Sequence, residues 1–83
     1  MIGETIRDDT LKALINQHVI RDVVVGRMNG DNNQWTLSVR LGGPTARLIA
    51  VRSRREPLRI WTSAKAVIKY ADAVGLRGFT VEL

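Results

Sequence analysis

The chain has 83 residues, no cysteine, one histidine, and 13 basic against 8 acidic side chains, which gives a formal charge of +5. This length allows one small basic domain, residues 1–83, and the absence of cysteine excludes disulfides and cysteine-based zinc sites. Because there is no signal-peptide pattern and no apolar run near the ~18 residues of a membrane span, we expect a cytoplasmic protein with no membrane partner.

The first predicted element is a helix that ends near Gln17. Its apolar positions repeat at helical spacing on one face, and they are Leu11, Leu14 and Ile15. Asp8 or Asp9 is the expected N-cap, because a short side-chain oxygen can accept hydrogen bonds from the free N–H groups of the first turn. A helix this short requires tertiary packing to be stable.

Two strands joined by a hairpin are predicted next. Residues 19–25 are mostly β-branched, which favours a strand. Residues 29–33 consist of Asn, Gly and Asp, which tolerate positive φ and therefore predict a hairpin turn. In residues 35–41, apolar and polar side chains alternate, as is typical of an antiparallel strand with one buried and one wet face.

A third strand and a short fourth strand follow in the prediction. Residues 42–44 are Gly-Gly-Pro and predict a turn, and residues 47–52 predict a strand with less regular alternation. Residues 54–57 are expected to form a polar turn that leads into a short strand at residues 58–61.

A second helix and a last strand complete the predicted order. Ser63 is the expected N-cap, and Gly75 is the expected residue after the helix, where a left-handed conformation ends it. The apolar face of this helix consists of Ala64, Val67, Ile68, Ala71 and Val74. Residues 79–83 alternate and predict a strand. The order α-β-β-β-(β)-α-β indicates an α+β, two-layer domain, in which two helices cover a mainly antiparallel sheet of three to five strands.

The positive charge is concentrated in the middle of the sequence. Residues 40–69 hold eight basic residues and one acid, whereas residues 1–31 hold four basic residues and five acids. Ten of the thirteen bases are Arg, whose planar guanidinium matches phosphate or carboxylate. Two interpretations are open. The basic residues could simply form a solvated strand face, or they could bind an anionic partner, for which DNA is the preferred candidate. The candidate nucleic-acid contacts on an Arg-rich sheet face are Arg40, Arg47, Arg52, Arg54, Arg55, Arg59, Lys65 and Lys69.

Catalytic motifs are poorly supported. His18 is the only histidine, and it continues the spacing of the first helix, so a helix-end position is the preferred interpretation. Residues 42–44 lack the spacing of a phosphate-binding glycine loop, and Ser63 fits N-capping with no base near it in the sequence. We therefore expect a non-enzymatic protein with no catalytic residue, metal, cofactor or small-molecule substrate.

Both tryptophans are expected in the core or at its edge. Trp35 shares the inward parity of Leu37, and Trp61 stands just before the second helix. Base stacking requires an exposed aromatic side chain among basic residues. Trp61 lies between Arg59 and Lys65 in the sequence and is the better candidate of the two.

The second half of the chain resembles a family of small plasmid proteins. The segments that carry the resemblance are Arg59-Ile60-Trp61-Thr62-Ser63-Ala64-Lys65-Ala66, Tyr70-Ala71-Asp72-Ala73-Val74-Gly75-Leu76 and Phe79-Thr80-Val81-Glu82-Leu83. They resemble the ParC-like accessory family of partition-associated proteins, with Trp61 in place of the usual Phe and Val74 at the Leu position. An upstream strand that starts at Trp35 also fits, so the similarity covers most of the chain after Val19. It implies a bacterial role beside plasmid partition or stability genes, with a partition-protein partner, and it supplies no catalytic residues.

Two further resemblances concern nucleic-acid-binding folds. Three antiparallel strands followed by Trp61-Thr62-Ser63 at a helix start look like the arm-type DNA-binding domains of tyrosine recombinases. That resemblance implies a sheet that reads the DNA major groove, and it favours Arg40, Arg47 and Arg52 as contacts. The α-β-β-β-α order is also similar to double-stranded-RNA-binding domains, but Gly43-Pro44 lacks their following His and the second helix starts with few lysines.

A protein-interaction module is the competing hypothesis. Leu58, Ile60 or an edge strand could pair with a partner, or two copies could form a homodimer by sheet extension. The basic segment would then meet an acidic protein surface without contacting nucleic acid.

Overall fold

The computed structural model describes residues 5–28, 33–42, 47–53, 55–56 and 58–82. Parts of the sequence predictions lie outside these residues, namely most of the turn at 29–33, Gly43-Pro44, Arg54, Pro57 and Leu83. The elements in chain order are β1 (Thr5–Ile6), α1 (Asp8–Asn16), β2 (Ile20–Arg27), β3 (Trp35–Leu41), β4 (Leu48–Val51), α2 (Ala64–Val74) and β5 (Thr80–Glu82).

The five strands form one mixed sheet in the order β1-β4-β3-β2-β5. The three central strands are antiparallel neighbours, whereas the short edge strands β1 and β5 run parallel to β4 and β2. Most of the paired residues therefore belong to antiparallel ladders. The α+β class, with two helices and a mainly antiparallel sheet, is confirmed.

The core lies between the two helices and one face of the sheet. Alternate residues of the strands point inward, and the buried ones are Val23, Val25, Trp35, Leu37, Val39 and Val51. Leu11 of α1 and Val67 and Ala71 of α2 pack into the same cluster. Neither helix of the described residues covers the opposite face, so the sheet has one covered face and one open face, as the alternation in β3 predicted.

β1 is absent from the sequence prediction. Thr5 and Ile6 are too few to show a period, and they become a strand only because β4 pairs with them from a distant part of the chain. The Arg52 N–H group donates to the Ile6 carbonyl at 2.8 Å, which extends this pairing past the end of β4.

The short strand predicted at residues 58–61 is wrong. This segment passes from the end of β4 to the start of β3 and does not pair along either strand. At its start, the Arg59 N–H group donates to the Val51 carbonyl at 3.0 Å. At its end, Trp35 and Trp61 form an isolated antiparallel bridge, each N–H group donating to the other carbonyl at 2.8 Å. Both tryptophans are buried, which confirms their expected place in the core.

The two ends of α2 follow local rules. The Ser63 side chain accepts a hydrogen bond from the Ala66 N–H group at 3.1 Å, so Ser63 is the N-cap as predicted. Gly75 has a φ of 99°, the left-handed conformation expected after a helix.

The predicted N-cap of α1 is wrong. Arg7 occupies the N-cap position and makes no capping hydrogen bond with its side chain. Asp8 instead accepts a hydrogen bond from Tyr70, and Asp9 accepts one from the adjacent Thr10 N–H group at 2.9 Å. A distant residue therefore engages Asp8 and an adjacent one engages Asp9, and neither side chain caps the helix.

Candidate anion-binding site

The predicted basic residues do not share one sheet face. Arg40 is the one that the strand register places on the open face among the predicted residues that the structure describes in strands. Its Nη1 atom lies 3.2 Å from Asp22 Oδ2 on the neighbouring strand. Arg47 is exposed just before β4. Lys65 and Lys69 are exposed on α2, on the solvent side of the helical layer and thus away from the open face.

Another part of the predicted set does converge. Arg52 and Arg59 line one cavity of about 280 Å³, together with Arg7, which the sequence prediction did not include. Asp8, Asp9 and Ser53 complete its lining. Arg55 is exposed in the neighbouring turn, and Arg54 lies outside the described residues.

Backbone hydrogen bonds at the end of β4 bring the three arginines together. Arg7 follows β1 and Arg52 follows β4, so the parallel pairing of these strands places the two residues side by side. The crossing segment adds Arg59, through its N–H bond to Val51. Arg7 gave no local signal because its place in the cavity depends on β1, which the sequence pattern does not reveal.

The three guanidinium groups are held in different ways. The Arg59 guanidinium carbon lies 4.7 Å from the centre of the Trp61 ring and 4.8 Å from that of Tyr70, so two aromatic faces support it. Arg52 Nε donates to the Ser53 carbonyl at 3.3 Å. Arg7 Nε is 4.0 Å from Asp9 Oδ1, a long contact between well-exposed side chains. Within the described ranges, no carboxylate forms an ion pair with Arg52 or Arg59.

The carboxylate of Asp8, which lines the cavity, is already engaged. Tyr70 Oη donates a hydrogen bond to it, and Lys12 Nζ lies 3.2 Å from its other oxygen. The hydrogen bond from Tyr70 is the largest cause that holds the pKa of Asp8 below its ordinary value of 3.8; burial opposes this, and Lys12 and Arg59 lower the pKa further. Asp8 therefore stays ionised, and its charge is partly neutralised by Lys12.

Tyr70 is held in its neutral form beside this cavity. Burial is the main cause that raises its pKa above the ordinary value of 10.0, and the hydrogen bond to Asp8 and the charge of Asp8 raise it further. A neutral phenol can donate to Asp8 and present its ring to Arg59 at the same time. Tyr70 thus connects α2 to the first turn of α1 and supports one wall of the arginine cluster.

The arrangement suits an anion with several oxygen atoms. Guanidinium groups form charge-assisted, often paired hydrogen bonds with phosphate or carboxylate oxygens. The N–H groups of Arg52 and Arg59 can donate to such an anion, and every described residue that lines the cavity is polar or charged.

Comparison of the chain with protein-family models, with curated proteins and with solved structures finds no match. Neither of the helices formed by the described residues has the length and apolar character needed to cross a membrane.

Proposed function

We propose that this protein binds the phosphate backbone of nucleic acid, with DNA as the preferred candidate. Its role would be a non-enzymatic, accessory one, such as the plasmid partition or stability that the sequence resemblance implies. One observation carries the proposal: Arg7, Arg52 and Arg59 line a single cavity, and among the described residues no carboxylate forms an ion pair with Arg52 or Arg59. We call Arg7, Arg52 and Arg59 the arginine cluster. Arg55 is exposed and extends the same basic end of the molecule. It lies next to Glu56, whose N–H group donates a hydrogen bond to Ser53 Oγ at 2.9 Å.

The arginine cluster is a better candidate than the open sheet face. Adjacent strands are about 4.8 Å apart, so five strands span roughly 19 Å, whereas the major groove is only about 12 Å wide. A five-stranded sheet is therefore too wide to place its face in the major groove, whereas a three-stranded sheet is narrow enough. Arg40 is also paired with Asp22. Contact through the cluster favours recognition of the backbone over readout of base edges.

A fluorescently labelled duplex titrated at several salt concentrations tests the proposal. If each of the three cluster arginines and Arg55 neutralises one phosphate, a plot of the logarithm of the binding constant against the logarithm of the salt concentration should have a slope of about −3 to −4. The double variant R7Q/R52Q should weaken binding and reduce the magnitude of this slope by about 2.

The matched control is the double variant K65Q/K69Q, which removes the same charge from the exposed side of α2. It should leave the slope unchanged. Equal losses in the two double variants would show attraction to net charge without a defined interface. Failure of the wild-type protein to bind duplex at low salt, with a stable dimer in light scattering, would instead favour the interaction module.

A further inference from the structure

A second cavity lies where both helices end, at the opposite end of α1 from the arginine cluster. Its volume is about 460 Å³, within the range of small-ligand pockets. The helix ends touch there, since a methyl group placed on Gly75 would lie 3.6 Å from Ile15 Cγ2. Each helix is followed by a residue in the left-handed conformation, with φ values of 56° at His18 and 99° at Gly75.

The floor of this cavity is apolar. It is formed by Ile15, Ile20, Val23 and Leu76. Val23 and Leu76 are almost fully buried, and the two isoleucines pack against the core. Among the described residues, the first cavity is lined by arginine, aspartate and serine and by no aliphatic side chain, so the two cavities suit different ligands.

The remaining wall carries three nitrogen-bearing side chains, those of His18, Arg21 and Arg77. A break in the pairing of β2 with β3 gives Arg21 its place, because Ile20 pairs with Leu41 and Asp22 with Arg40, which leaves Arg21 as an extra residue. Such a bulge redirects the side chain of the extra residue.

These three side chains are not occupied in holding the helix ends. The last carbonyl groups of the helices accept backbone N–H groups, for example Ala13 from Gln17 at 3.1 Å and Ala71 from Leu76 at 2.9 Å. Arg21 is only loosely paired, with Nε 4.0 Å from Asp22 Oδ2, and that oxygen also accepts a hydrogen bond from Arg40. In the part of the chain that the structure describes, His18 and Arg77 form no ion pair.

We infer that this cavity binds a small organic carboxylate with an apolar body. The apolar body covers the floor and is removed from water, while Arg21 and Arg77 donate charge-assisted hydrogen bonds to the carboxylate. The His18 imidazole can donate one further hydrogen bond. Among the described residues, no acidic side chain lines the cavity. The negative ends of the two helix dipoles, about half a charge each, lie nearby and are outweighed by the full charges of Arg21 and Arg77.

Two-dimensional ¹H–¹⁵N NMR of the whole protein, titrated with phenylacetate, tests this inference. Amide shifts should saturate and should centre on Ile15, Val23, Leu76 and Arg77. Acetate lacks the apolar body and 2-phenylethanol lacks the charge, so each should bind more weakly than phenylacetate at the same residues. Shifts that centre on Arg52 and Arg59, or equal responses to all three compounds, would overturn the inference.

Variants distinguish a built site from general attraction. R21Q and R77Q should each weaken phenylacetate binding by about tenfold, the usual effect of one charge-assisted hydrogen bond. R55Q removes the same charge from the other end of the molecule and should leave binding unchanged. Both target arginines are exposed, and the NMR spectrum reports directly whether each variant is folded. Equal weakening by R55Q, or no weakening by R21Q and R77Q, would overturn the inference.

Discussion

Tyr70 is the residue that links the helical layer to the arginine cluster. Its hydroxyl group donates to Asp8, 62 positions earlier in the chain, and its ring contacts both Trp61 and the Arg59 guanidinium. The sequence contains one tyrosine, with no local pattern to mark its role. Ser63 and Gly75, by contrast, were predicted correctly because caps depend on the few residues next to a helix end.

Tyr70→Phe should raise the pKa of Asp8 towards 3.8, because the hydrogen bond from Tyr70 is the main cause of its depression. The free energy of unfolding should fall by about 1 kcal/mol at neutral pH, the typical value of one hydrogen bond. A carboxyl pKa depressed in the folded state gives stability that is present above the unfolded pKa and is lost as the pH falls through the folded pKa. The variant should therefore lose less stability than the wild type as the pH falls below 3.8.

Carboxyl ¹³C NMR titration of both proteins measures this pKa, and urea unfolding at several pH values measures the stability. Asp9 serves as an internal reference, because its carboxylate accepts from the Thr10 N–H group and does not contact Tyr70. An unchanged Asp8 titration in Tyr70→Phe would contradict the assigned role of the hydroxyl group.

At the scale of elements, the sequence predicted those that have a clear period. Two helices, the three central strands and the last strand are found near their predicted positions because periods of 3.6 and 2 show which side faces the core. β1 and the crossing segment at residues 58–61 were not predicted correctly. Both are defined by hydrogen bonds to the end of β4 rather than by their own side chains.

The left-handed end of α2 provides an element-scale prediction. Gly75→Ala should lower the free energy of unfolding by about 1–2 kcal/mol, because a Cβ atom is unfavourable at a φ of 99°. Crowding adds little, since the nearest atom to the new methyl group would be 3.6 Å away.

Gly42→Ala is the matched control. Gly42 is exposed, has no positive φ, and a methyl group there would meet nothing within 4 Å. Its stability in urea unfolding should stay within about 0.5 kcal/mol of the wild type. Similar losses in the two alanine variants would mean that the conformation of Gly75 does not control the end of α2.

At the scale of the whole molecule, the count of basic residues was a poor guide to their arrangement. The alternation in β3 correctly placed Arg40 on the open face, but it did not show that Asp22 would pair with it. Arg52 and Arg59 were in the predicted set, whereas their convergence with Arg7 depends on strand order. Arg21 and Arg77 lie outside the predicted basic segment and meet at the second cavity only because both helices end there. Pairing between distant segments, which single-sequence patterns do not encode, decides each of these cases.

The separation of the two cavities gives a prediction about their independence. α1 has 9 residues, so its ends lie about 13 Å apart, and charges at this distance are largely screened at about 0.15 M salt, where the Debye length is about 8 Å. R77Q should therefore change duplex affinity by less than about twofold at that salt concentration, whereas R52Q should weaken it clearly. At about 0.01 M salt the Debye length is about 30 Å, and R77Q should then weaken binding as well. Fluorescence titrations of both variants at the two salt concentrations measure this. If R77Q and R52Q have equal effects at the higher concentration, the nucleic-acid interface extends over both ends of α1 and is not confined to the arginine cluster.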